Sequence, residues 1–324
     1  MALGGANIFT GGTTLNLGNL VIGSDTALGT GTLTLNGGLL SASGARTLAN
    51  AVTMGGNCAI GGAAATDAIT LSGAVNLGAG SRTITITGQG STILSNIISD
   101  DGGGRTLTID SLLGAGSLTL SGANTFGGGG GGLTLTSATL LAGNNSAFGA
   151  GTLTINGGTL QASGAARTLA NNVTVGGDFT LGGTNALTFS GTVGLGDLTR
   201  TLTVSNTANT TLSGVISNGG LSINNTGAGI LILSGANTYS GGTTLTAGNL
   251  GIGVDSVVAG GVITSGALGT GTMTVATGTL RGWGANHILA NNIVDNTALT
   301  VGDGYNLTLN GVISGAGRLT ENTC

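Results

Sequence analysis

Three times in this chain the phrase Gly-Ala-Asn is followed two residues later by an aromatic, and each time its neighbours come with it. Residues 3–20 read LGGANIFTGGTTLNLGNL, residues 120–135 read LSGANTFGGGGGGLTL, and residues 233–250 read LSGANTYSGGTTLTAGNL. Asn7, Asn124 and Asn237 lie 117 and 113 residues apart. Ala27-Leu28-Gly29, Ala147-Phe148-Gly149 and Ala267-Leu268-Gly269 lie 120 apart both times. A repeat of this kind constrains the fold more than any single residue, because stacked units contact only their neighbours. It predicts one continuous rod with no globular second domain, divided into super-repeats at 1–119, 120–232 and an incomplete 233–324.

Composition narrows the material of the rod. Of 324 residues 69 are Gly and none is Pro, with aromatics at 2% and charged residues at 6%. Such a chain cannot fill a wide core, but it can fill a narrow one with Leu, Ile, Val and Ala. Hydrophobic residues at 40% and a mean hydropathy of +0.44 exclude disorder. The absence of a strict glycine period and of Pro excludes collagen. No stretch approaches the ~18 apolar residues of a membrane helix, so no membrane insertion by this segment is expected. A net charge of −4 argues against nucleic acid as a partner. All seven basic residues are Arg, which removes lysine-based Schiff-base chemistry.

Locally the pattern has period two. Thr32-Leu33-Thr34-Leu35, Thr83-Ile84-Thr85-Ile86 and Thr106-Leu107-Thr108-Ile109 alternate hydroxyl and aliphatic, the mark of a half-buried strand. Asn36-Gly37-Gly38, Gly55-Gly56-Asn57 and Gly88-Gln89-Gly90 punctuate them as corners. The expected fold is all-β, a parallel β-solenoid of about 16 coils of roughly 15–23 residues. At ~4.8 Å per stacked strand it would be roughly 75 Å long. Parallel stacking satisfies the backbone of every inner coil, and the missing Pro fits a ladder paired on both sides. No hairpin signal is read.

The stretch 212–250, LSGVISNGGLSINNTGAGILILSGANTYSGGTTLTAGNL, resembles the autotransporter-associated β-strand repeat. The likeness runs through Gly227-Ala228-Gly229, Leu233, Gly235-Ala236-Asn237-Thr238-Tyr239, Gly241-Gly242-Thr243 and Gly248. Residues 3–20 repeat its second half. Residues 120–141 match less well, and the run of six Gly at 127–132 is expected to bulge or loosen that corner. The resemblance implies a right-handed β-helical passenger, surface-displayed or secreted by a bacterium and associated with the outer membrane. It also implies an export signal and a C-terminal membrane barrel, and the array is expected to run on past both ends of this sequence.

Chemistry-bearing residues are few. Cys58 aligns with Phe179 and Leu299 and reads as a small buried hydrophobe, while Cys324 reads as a free thiol. His287 aligns with Arg167 and Arg46 and has no second His or Cys for a metal site. Asp100-Asp101 read as a solvated pair in a Gly corner. The threonines Thr83, Thr85 and Thr87 raise ice binding, against which the uneven coil length counts. No catalytic, cofactor-binding or metal-binding residue is assigned, and no cofactor is expected. Trp283 aligns with Ser163 and Ser43, and Arg281 with Gln161. Together these two form the candidate surface contact, a stacking patch for a sugar ring or a partner protein.

The expected function is therefore non-enzymatic, a structural or adhesive passenger whose partners are extracellular or host-surface glycans or proteins. The alternative is a fibre subunit that stacks head to tail with copies of itself. A carbohydrate-binding or polysaccharide-cleaving β-helix ranks third.

Overall fold

The computed structural model describes residues 1–112, 116–302 and 304–322. They are all-β, without a helix, and stack as a parallel β-solenoid. The chain divides into two compact units, Met1–Gly164 and Ala165–Cys324.

Three columns of strands build the first unit. One stacks Asn19–Ile22, Leu39–Ala42, Cys58–Ile60, Arg82–Ile86, Thr106–Ser111, Gly132–Leu135 and Thr152–Ile155. A second stacks Thr13–Leu15, Leu33–Leu35, Val52–Met54, Val75–Asn76 and Ile98–Ser99. The third runs from Arg46–Leu48 through Ile69–Leu71, Ser91–Leu94, Ser117–Leu120 and Thr139–Ala142 to Thr159–Ala162.

Period two decides which side is core. Leu107, Leu133 and Leu153 pair in register and are fully buried. Between them Thr108, Thr134 and Thr154 stack on the outer face. Each buried Leu is worth about 1.5–3 kcal/mol relative to exposure, and β-branched threonines favour the extended backbone outside.

The second unit repeats the plan. One column carries Arg167–Leu169, Leu187–Phe189, Thr210–Leu212, Leu231–Leu233, Asn249–Ile252 and the second half of Met273–Gly282. Another carries Phe179–Gly182, Thr199–Val204, Gly220–Asn225, Thr243–Ala247 and the first half of Met273–Gly282. Val173–Val175, Val193–Gly194 and Ile216–Ser217 form the third. Register steps run from 19 residues, Leu33 to Val52, to 30, Thr243 to Met273. The longest exceeds the expected range.

The Gly-Ala-Asn phrase is where a strand is replaced by a side chain. Asn124 sits over Ile98, accepting its N–H on Oδ1 at 2.7 Å and donating from Nδ2 to the Ala147 carbonyl at 2.6 Å. Asn237 does the same between Ile216 and Ala267, at 2.7 Å each. Asn7 makes the second bond alone, to Ala27 at 2.8 Å. The carboxamide thus carries the backbone ladder across a corner that has no strand. The two sequence landmarks of the repeat are therefore bonded to each other. The glycine that closes the second landmark is forced: at Gly149, φ is 73° and a β-carbon would stand 2.5 Å from the Phe126 carbonyl oxygen.

The replacement also shifts the phase. The strand after Asn7, Thr13–Leu15, lies in the second column, whereas its counterpart after Asn124, Gly132–Leu135, lies in the first. Equivalent residues of successive repeats therefore face different ways.

In the six-glycine run Gly128, Gly129 and Gly130 are exposed, whereas a β-carbon at Gly131 would meet the Gly104 carbonyl oxygen at 2.3 Å. One expectation needs correction: among the described residues there is one antiparallel hairpin, Val257–Ala259 against Val262–Ser265. Its tip, Gly260 and Gly261, has φ of 58° and 82°, the two positive values that a tight hairpin turn requires. From Asn to Ala the clamp spans 20, 23 and 30 residues in the three repeats. The equal 120-residue spacing of the alanines thus conceals an insertion in the third.

Candidate functional site

The hairpin leaves the solenoid at Gly253 and returns at Gly266, which bridges to Asn237. Its root is fastened by backbone and side chains together. The Ser256 N–H donates to the Ile288 carbonyl at 2.9 Å, and Ser256 Oγ accepts the Ala290 N–H at 3.0 Å. Asp255 Oδ1 accepts the Ile288 N–H at 3.1 Å and lies 2.7 Å from His287 Nδ1. On the other side of the ring, Nε2 lies 3.1 Å from the Trp283 carbonyl oxygen. The His287 side chain is 11% exposed and that of Asp255 55%. The hydrogen bond from His287, then that from Ile288, holds the Asp255 carboxyl below the usual carboxylate range.

Beyond this root the arm is apolar. Val257, Val258 and Val262 are all more than half exposed, and Ile288 at the root is 43% exposed. Residues 256–269 carry no charge at all. Ile8, Leu17, Leu198 and Val312 are also exposed, but here three valines share one two-stranded ribbon, and clustered apolar surfaces commonly make contacts.

Trp283, expected to be solvent-facing, is 37% exposed. Its N–H donates to the Ile252 carbonyl at 2.8 Å, the same bond that Ser43 makes to Ile22 and Ser163 to Ala142. The alignment of these three positions is therefore structural. Arg281 lies two residues before it, on the strand Met273–Gly282, with its guanidinium directed to Asn249 Oδ1 at 3.2 Å. Ser43 directly follows a strand of the first column and Ser163 one of the third. No continuous row of equivalents forms, and Trp283 stands beside the hairpin root instead.

Elsewhere Asp100 and Asp101 have structural partners. Asp100, expected to be solvated, is buried. It accepts the N–H of Arg105 at 2.6 Å, of Gly127 at 3.0 Å and of Gly102 at 3.2 Å. Burial pushes its carboxyl up, but these three donors outweigh it and hold the group below the usual range. Asp101 is exposed and receives the Asn76 amide at 2.9 Å. Cys58 is buried, with its thiol pushed up to about 12 by desolvation. Cys324 lies outside the described residues. Among the described residues no group of three His, Cys, Asp or Glu could hold a metal ion.

The hairpin was legible in principle. Val257-Val258-Ala259-Gly260-Gly261-Val262-Ile263-Thr264 places Gly-Gly between two aliphatic runs, which is a hairpin signal.

A family model decides the framework. Residues 1–22 and 223–252 match the passenger-associated-transport-repeat. No curated protein and no solved structure matches the chain. The two matched segments contain Asn7 and Asn237, whose carboxamides both donate to the alanine of the second landmark. The second stops at Ile252, directly before the hairpin departs. The passenger repeat thus covers solenoid scaffold, and the hairpin, Trp283 and His287 lie outside it.

Proposed function

We propose that this chain is a non-catalytic, adhesive and structural portion of a surface-displayed or secreted bacterial passenger. The repeat carries this reading: both matched segments are passenger repeats, and both fold as parallel solenoid coils. A solenoid folds coil by coil through neighbour contacts, which suits vectorial export. Neutral, hydroxyl-rich faces give it little to hold partners by charge. The adhesive contact is assigned to the hairpin arm and Trp283, with Arg281 beside it. Their chemistry, one indole and several exposed valines without charge, fits a sugar ring face or an apolar protein patch at a cell surface.

The test is binding of the purified chain to glycan arrays and to immobilised extracellular proteins. The native chain is compared with Trp283→Ala and with a variant whose residues 257–265 are removed. Binding lost in both supports the reading, while binding retained in both moves the contact elsewhere. Saturable cleavage of a polysaccharide would overturn the non-catalytic reading. Filaments lengthening with concentration in electron micrographs would favour the fibre-subunit reading instead.

A further inference from the structure

Three aromatic residues are exposed among the described residues, and the winding brings two of them together. Trp283 directly follows the strand Met273–Gly282, and Tyr305, 53% exposed, comes one coil later. An isolated bridge sets Tyr305 opposite Gly282, the residue before Trp283. The close approach needs glycine, because a β-carbon at Gly282 would stand 2.6 Å from the Tyr305 carbonyl oxygen. In the earlier repeats, where serine replaces the tryptophan, this place is held by Ala42 and Ala162.

The preceding coil is cut back as well. At Gly251 a β-carbon would stand 3.3 Å from Ile230 Cγ2 and 3.4 Å from Trp283 Cβ, so the tryptophan side chain starts against a glycine. Val21 and Leu141 fill that position in the other repeats.

A carboxylate is tied to the same spot. His287 Nε2 lies 3.1 Å from the Trp283 carbonyl oxygen, and Nδ1 lies 2.7 Å from Asp255 Oδ1. The Ile288 N–H also donates to Oδ1, which leaves Oδ2 without a hydrogen bond among the described residues, on a side chain 55% exposed.

We propose that Trp283 and Tyr305 form a two-ring platform for a neutral glycan, with Asp255 Oδ2 as the acceptor for its hydroxyls. This rests on the adhesive reading above and names its ligand. A sugar ring offers a C–H face, which packs on the electron-rich face of an aromatic ring, and a rim of hydroxyls that need acceptors. Successive coils stand about 4.8 Å apart, near the length of one hexose, so the two rings meet adjacent sugars of one chain. A net charge of −4 and the carboxylate itself disfavour sialylated or uronic-acid glycans. An apolar protein patch would bury Oδ2 without a donor.

Trp283 is the chain's one tryptophan, so its fluorescence reads this site alone. The full chain is titrated with cellohexaose, maltohexaose, mannohexaose and sialyllactose. The expected result is a saturable emission shift with a neutral hexaose and none with sialyllactose. Tyr305→Ala and Asp255→Asn should each weaken hexaose binding about threefold to tenfold, while Tyr305→Phe keeps it. Hexaose binding that neither Tyr305→Ala nor Asp255→Asn weakens overturns the proposal. An emission unchanged by all three hexaoses overturns it too: if immobilised extracellular proteins are still captured the adhesive reading stands, and if nothing is captured both readings fall.

Discussion

The Tyr239 hydroxyl lies 2.6 Å from Thr243 Oγ1, and Thr243 Oγ1 in turn donates to the Leu268 carbonyl at 3.1 Å. Because the threonine proton is committed to the carbonyl, the phenol is the donor in the first bond. Tyr239 is fully buried, and desolvation pushes its hydroxyl well above the ordinary tyrosine range. Phe9 and Phe126 hold the same place in the other repeats, so the ring is the packing element and the hydroxyl is an addition.

That ordering sets the first prediction. Tyr239→Phe removes one bond and leaves Thr243 with its carbonyl, costing about 0.5–1.5 kcal/mol. Thr243→Val keeps the shape but strands a buried phenol and a buried carbonyl, costing about 2–4 kcal/mol. Denaturant midpoints of the two variants check the order. Equal losses would mean the hydroxyl chain is not formed.

The asparagine corners give the second. Asn237→Ala orphans the Ile216 N–H and the Ala267 carbonyl, both buried, and should cost about 2–5 kcal/mol. Asn7→Ala loses a single half-buried bond and should cost under about 1.5 kcal/mol. Chemical denaturation of each variant measures the contrast.

Asp295 points the other way. It is 3% exposed and faces inward, where the earlier repeats have Met54 and Val175, and its Oδ2 has no hydrogen-bond partner among the described residues. Asp295→Val should therefore stabilise the protein by about 1–3 kcal/mol, by relieving an unpaired buried oxygen. A lower melting temperature would show that Asp295 has a partner in solution.

Asp100 contributes to the acid limb of stability. Its folded carboxyl titrates below its unfolded value. Its contribution is thus complete above the ordinary carboxylate range and is lost as pH falls through the lowered value. Asp100→Asn, left with one acceptor oxygen for three N–H donors, should be less stable at pH 7 and lose less on acidification. Urea midpoints from pH 7 to pH 3 for the native chain and the variant read both effects.

Much of this protein is written locally in its sequence. Alternation in Thr106-Leu107-Thr108-Ile109 settles which side of a strand is core, because a side chain in an extended backbone can point only one of two ways. The repeated Gly-Ala-Asn and Ala-Leu-Gly or Ala-Phe-Gly phrases announce a stacked array, and the buried place of Cys58 follows from its aligned neighbours. Trp283 is singled out because serine stands in its place elsewhere. What local pattern does not contain is the pairing between coils. That Asn124 bonds to Ala147, that Asp100 is enclosed by N–H groups up to 27 residues away, and that His287 meets Asp255 across 32 residues depend on which segments the winding brings level. The phase shift at each strandless corner belongs to the same class, since it appears only when one repeat is laid on the next. Local chemistry chose strands, corners and their buried sides. Only the register of one coil on another decided which polar groups would meet, because backbone hydrogen bonding fixes that register and the side chains then take whatever partners it delivers.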